Sequence, residues 1–212
     1  MAGAIPVFAD VNRKNFQLDV SSAEKLITAN TKAVMPVHIY GTAANMDEVM
    51  GFARKYKLKV IEDAAQAIGV HYKGKHAGTF GNAGTFSFFA DKTITTGEGG
   101  YIVTDEESIY DNLLYLRNQG RKERGTFIHP EIGYNFRMTD IQCAIGLTQL
   151  KKFDEIKKKK MFIREMYFEL LKNIPQITFF SPEKNAEWIP FRVGLLCERA
   201  HDLMNFMKAN EI

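Results

Sequence analysis

Short apolar runs rich in Val, Ile and Phe recur along the chain, separated by stretches whose apolar residues return every three or four positions. The runs predict strands near Ala4–Phe8, Ala33–Val37, Lys59–Ile61, Thr85–Phe88 and Gly100–Val103. The stretches predict helices over Ser22–Ala29, Asp47–Tyr56, Glu106–Asn118 and Thr139–Leu171, the last interrupted or bent. Strands that alternate with helices imply an α/β protein with a mainly parallel sheet covered by helices. Val70–His76, with Gly74 inside it, reads as a turn-containing excursion between two of the strands. Pro175 breaks the helical pattern after Asn173 and Ile174. A division follows: a large domain over 1–172, and part of a smaller α+β domain over 173–212.

Two strand ends carry candidate chemistry. Lys92 lies between the run Gly84–Phe89 and the glycine-rich turn Thr96–Gly100. A lysine brought to a strand end and desolvated there can act as a neutral, nucleophilic amine; a solvent-facing lysine is the plainer account. The strand near Val60 ends on Glu62 and Asp63 and is followed by Gln66. In an open α/β sheet ligands collect beyond the carboxyl ends of the strands, so Asp63 is placed where a cofactor would lie. It equally suits the cap of a following turn. Together, an amine and a carboxylate at two strand ends are what a pyridoxal 5'-phosphate site requires: the amine holds the aldehyde covalently and the carboxylate keeps the pyridine nitrogen protonated.

Four segments, in order and spacing, resemble the DegT/DnrJ/EryC1/StrS family of nucleotide-sugar aminotransferases. They are Asp63–Ala67, Phe86–Phe89 with Lys92, Thr96–Gly100, and Gly133–Gln142. The resemblance runs from Pro6 to about Lys152 and is weaker beyond Phe153. It implies that Lys92 binds the cofactor and then moves the proton. It implies also that Asp63 partners the pyridine nitrogen, Gln66 lies near the ring 3-hydroxyl, Ser87 binds the phosphate, and Asn135 reaches the phosphate of a neighbouring subunit's cofactor. The implied donor is glutamate, the acceptor a nucleotide-linked keto-deoxy sugar, and the assembly a homodimer. One branch of the family has histidine in place of the lysine and removes a hydroxyl instead, so Lys92 favours transamination. The family's opening helices and its Gly-Thr phosphate-binding turn are not found before Pro6. The end at Ile212 falls where further strands of the small domain are expected, so the chain reads as a fragment or a trimmed variant. The alternative function is a catalytically inactive binding or oligomerisation module with the same fold.

Composition narrows the partners. With 212 residues and a net charge of +3, the chain does not suggest a nucleic-acid protein. The basic run Lys151–Lys160 is interleaved with Phe153 and Ile156 and reads as a solvated helix face, with attraction of nucleotide diphosphates as the second account. No apolar stretch approaches the roughly 18 residues of a membrane span, and no cleavable signal precedes Ala4, which points to the cytoplasm. Cys143 and Cys197 lack metal-ligand spacing, and Cys143 is expected in the core. His38 either borders the pocket or is a hydrogen-bonded structural histidine. His129 and Arg137 flank the Asn135 motif as substrate or interface candidates.

Overall fold

The structure is a computed structural model and describes residues 3–122, 125 and 127–212. Its order is α1 (Val20–Glu24), β1 (Ala33–Val34), a 3-10 turn (Ile39–Gly41), α2 (Met46–Tyr56), β2 (Lys59–Asp63), β3 (His71–Tyr72), β4 (Lys75–His76), β5 (Ala83–Ser87) and β6 (Gly100–Val103). There follow α3 (Glu107–Arg117), α4 (Asp140–Lys151), α5 (Phe153–Leu171), β7 (Ile177–Phe179), β8 (Leu195–Cys197) and α6 (Ala200–Ala209). The main sheet has the order β1-β2-β5-β6, with β1, β2 and β5 parallel and β6 antiparallel to β5. This is the expected α/β, mainly parallel arrangement.

Helix α2 shows why its sequence is helical. The Asn45 side chain accepts the Glu48 amide, Asp47 and Glu48 occupy the first turn, and Arg54 and Lys55 the last. Met46, Val49, Phe52 and Ala53 form its buried stripe against β2, and most of that stripe joins the core of Val60, Ala64, Val70, Tyr72 and Phe86. The excursion at 70–76 is a hairpin. Lys73 and Gly74 both take positive φ, as a two-residue turn between right-twisted strands demands.

Three expectations are corrected. Residues 4–8 form no strand; Ile5, Val7 and Phe8 have no sheet neighbour and are exposed. The first helix starts at Val20, because the Asp19 side chain accepts the Ser21 and Ser22 amides, and ends at Glu24. Cys143 is exposed, as is most of the apolar face of α4, which has no buried residue. The long helix does break, at Lys152, where Phe153 turns inward against Gly69 and the core. Segment 177–197 contributes the small β7–β8 sheet, and between its strands Ile189 joins the main core.

Candidate active site

Strand alternation sorts the two carboxylates at the end of β2. Val60 and Glu62 point into the core, so Asp63 projects from the opposite face. On β5, Gly84 and Phe86 are buried while Thr85 and Ser87 share the other face. Asp63 is level with Thr85 in the parallel pair, and Ser87 is one repeat farther along that face. The carboxylate and the hydroxyl therefore lie on one face at the carboxyl end of the sheet, one repeat apart.

Asp63 is fixed from several directions. Its backbone N–H donates to Pro36 and its carbonyl accepts from His38, both at 2.9 Å, and its Oδ1 accepts the Ala65 amide at 3.0 Å. That is the capping role considered for it, and it engages one carboxylate oxygen, leaving the second as an acceptor. Ser87 Oγ accepts the Phe89 amide at 3.1 Å. Gln66 Oε1 accepts the Tyr40 amide at 2.7 Å, which settles the amide orientation and leaves its NH2 group as the donor end.

Lys92 lies in the loop after β5. Two backbone bonds from Phe88, its N–H to Gly99 at 2.8 Å and its carbonyl to Thr96 at 2.9 Å, pin the loop against the glycine-rich turn, where Gly97 and Gly99 take positive φ. The Lys92 side chain is only 14 % exposed. Its Nζ sits 4.8 Å from the centre of the Phe191 ring and 3.9 Å from Asp91 Oδ1. Phe191, a hundred residues away in sequence, is placed by the 38–42 loop. Its N–H donates to Tyr40 O at 3.2 Å, the Trp188 Nε1 donates to the same oxygen at 3.1 Å, and Ile189 N donates to Gly41 O at 3.0 Å. Tyr40 has φ 59°, an uncommon conformation for a non-glycine residue, held by these contacts and by Gln66. A chain of contacts thus runs from Lys92 through Phe191 and Tyr40 to Gln66.

Asn135 stands on a different part of the surface network. It is exposed, bridges to Asn118, and its Oδ1 accepts from Arg137 Nε at 2.9 Å. The rest of its motif reaches the glycine-rich turn: Gln142 Nε2 donates to Glu98 O at 2.9 Å, and Met138 packs at Gly99. Arg137 also donates to Asn118 Oδ1 at 3.0 Å, and His129 Nδ1 to the Gln119 carbonyl at 2.7 Å.

His38 is the structural histidine. It is fully buried, and its Nδ1 accepts the Ala44 amide at 3.1 Å, so the ring proton is on Nε2 and is donated to Glu62 Oε2 at 2.8 Å. Glu62, also fully buried, takes three further donors, the amides of Gly78, Phe80 and Gly81, at 2.6–2.7 Å. Burial alone acts to raise its pKa, but the His38 hydrogen bond and the amides outweigh it and hold the carboxyl below the ordinary value. Sequence reasoning passed over Glu62 and Phe191. Alternation within β2 puts the two carboxylates on opposite faces, but with Val60 and Ile61 both apolar it does not say which face is buried, and for Phe191 the sequence offers no signal.

Known proteins similar to this chain fix its family. The GDP-perosamine synthase of Escherichia coli O157:H7 is 45% identical over 206 residues, covering 97% of this chain and 57% of that protein. The GDP-perosamine synthase of Caulobacter vibrioides is 48% identical over 153 residues, covering 72% and 41%. Among solved structures, DesV of S. venezuelae superposes with a TM-score of 0.91 at 30% identity, covering 98% of this chain and 56% of that one. E. coli GDP-4-keto-6-deoxy-D-mannose-3-dehydratase with bound hydrated PLP does so at 0.82 and 27%, covering 97% and 58%. The chain spans about half the length of the curated relatives it matches. Residues 1–212, the whole chain, match the family described as DegT/DnrJ/EryC1/StrS aminotransferases, and the chain belongs to that family.

Proposed function

We propose that this chain carries the cofactor-binding core of a pyridoxal phosphate-dependent aminotransferase that moves an amino group from glutamate to a nucleotide-linked keto-deoxy sugar. The names of the relatives at 45% and 48% identity favour GDP as the nucleotide and an amino sugar of the perosamine kind as the product. Residues 1–172 act in this reading as the large domain and 173–212 as part of the small one.

The residues fit the cofactor. Asp63 and Ser87 share one face at the carboxyl end of the sheet, and Lys92 offers a largely enclosed amine on the loop that follows β5. The shared face of Asp63 and Ser87, with Lys92 on the next loop, carries the proposal. When bound, pyridoxal phosphate supplies an aldehyde and an electron-accepting ring. Asp63 would offer its second carboxylate oxygen to the ring N–H, Gln66 its NH2 group to the 3-hydroxyl, and Ser87 its hydroxyl to the phosphate. Lys92 would be the residue that holds the cofactor covalently, and its amine, once free, would be the base that takes a proton from the donor α-carbon and hands it on. Asn135, exposed and outside this cluster, serves the phosphate of the site on a second subunit of a homodimer.

Absorbance tests the reading. Pyridoxal phosphate added to the purified chain is expected to give a yellow band that is absent in Lys92→Ala and bleaches with glutamate. A band that survives Lys92→Ala would overturn the Lys92 assignment, and a band indifferent to glutamate would make the chain a binding module without the first half-reaction.

A further inference from the structure

The Phe191 ring is ringed by three cations drawn from three parts of the chain. Lys92 Nζ lies 4.8 Å from its centre, the Arg192 guanidinium carbon 5.0 Å, and Lys160 Nζ, from α5, 6.0 Å. One carboxylate answers them. Asp91 Oδ2 is 3.2 Å from Arg192 Nη2, and its Oδ1 is 3.9 Å from Lys92 Nζ. Among the described residues no carboxylate comes within ion-pair distance of Lys160, whose Nζ donates instead to the Pro190 carbonyl at 3.3 Å. Burial, and after it the charge of Arg192, lowers the pKa of Lys160. A half-enclosed ammonium beside a guanidinium, with one acid among three bases, has a charge pattern that an anion completes.

We infer that Lys160 and Arg192, with Phe191 as their floor, line an anion subsite beside Lys92 that takes a carboxylate of the amino donor. The inference rests on the aminotransferase reading for the identity of the donor. In an amino acid the α-carboxylate is bonded to the carbon that bears the departing nitrogen, so wherever that nitrogen meets Lys92 the carboxylate is beside it. In a nucleotide sugar the pyranose ring separates the diphosphate from the keto carbon. The phosphates then fall beyond cations that share a single phenyl ring with Lys92.

Glutarate, a dicarboxylate without an amino group, is the probe, with GDP in parallel. Binding of each to the 212-residue chain is measured by titration calorimetry without cofactor. Lys160→Gln and Arg192→Gln should each weaken glutarate about ten-fold, the effect of losing one charge-assisted contact. Lys159→Gln, on the same helix but exposed and paired with Glu155, should leave it unchanged, and Lys160→Arg should retain most of it. GDP affinity should not respond to any of these. Arg192 is 62 % exposed, so Arg192→Gln reports even if Lys160→Gln fails to fold. Absence of glutarate binding to the parent, equal binding to Arg192→Gln, or a loss of GDP in place of glutarate would overturn the subsite. Failure of the aminotransferase reading registers elsewhere, in the yellow band and its dependence on Lys92.

Discussion

Glu62 and Asp63 are adjacent carboxylates given opposite tasks by the alternation of one strand. Glu62 gathers His38 and the amides of Gly78, Phe80 and Gly81 inside the core. Removing its carboxylate in Glu62→Ala strands four donors, two buried and two part-buried, and a loss of roughly 3–5 kcal/mol in unfolding free energy is expected. Urea titration measures it, and near-parental stability would contradict the clamp. Because folding holds this carboxyl below its ordinary 4.5, the stabilisation is fully present above that pH and is lost as pH falls through the lower, folded-state value. Stability of the parent should therefore decline in this acid range more steeply than that of Glu62→Gln, which has no proton to take up. Asp63 and Lys92 were picked out as candidates because each follows an apolar run, and the structure puts the first at the end of β2 and the second in the loop after β5. Glu62 was not read as structural, since an acidic pair in a sequence does not announce which member turns inward.

At the level of elements, the site depends on two loops meeting. Gly41 has φ 81°, and a Cβ there would lie 1.8 Å from Ile189 O and 2.7 Å from Phe191 N. Gly41→Ala should push the 188–192 segment away from the 38–42 loop, at a cost of at least about 1–3 kcal/mol from backbone conformation alone, and withdraw the Phe191 ring from Lys92. Loss of stability in thermal unfolding, together with weaker glutarate binding, is the expected pair of results; an unaffected glutarate affinity would show that this loop contact does not set the ring. Helix α2 and the hairpin at 71–76 were readable from periodicity, caps and turn residues, because local interactions decide them. The break at Lys152 was foreseen only as an interruption, and its position follows from Phe153 seeking the core beside Gly69. Cys143 was misassigned for the converse reason: an apolar helical face says that something should cover it, not that this stretch of chain does so.

The molecule as a whole exposes 14372 Å². A compact monomer of 24.1 kDa is expected to expose roughly 10,000 Å². Much of the surplus is apolar: Ile141, Leu147 and Leu150 on α4, and Phe162 and Leu170 on α5, each keep more than half their surface in water. Such faces belong against other protein, which agrees with the proposed homodimer. Sedimentation equilibrium across a wide dilution series is expected to show a mass above 24.1 kDa that falls on dilution. A constant monomer mass would contradict both the covered faces and the role given to Asn135. Among the described residues no helix is long and apolar enough to cross a membrane, and no group of three or more His, Cys, Asp and Glu side chains could hold a metal.

By itself the sequence determined the alternation of strand and helix, the mainly parallel sheet, and the place of Asp63 at a strand end with Lys92 a few residues beyond another. Periodicity, turn chemistry and chain order are local properties, written residue by residue. Tertiary structure alone decided that Glu62 faces inward while Asp63 faces out, and that Lys92, Lys160 and Arg192 gather around Phe191. Those choices depend on which distant segments pack together, and packing is settled by the burial of the whole chain rather than by any short run within it.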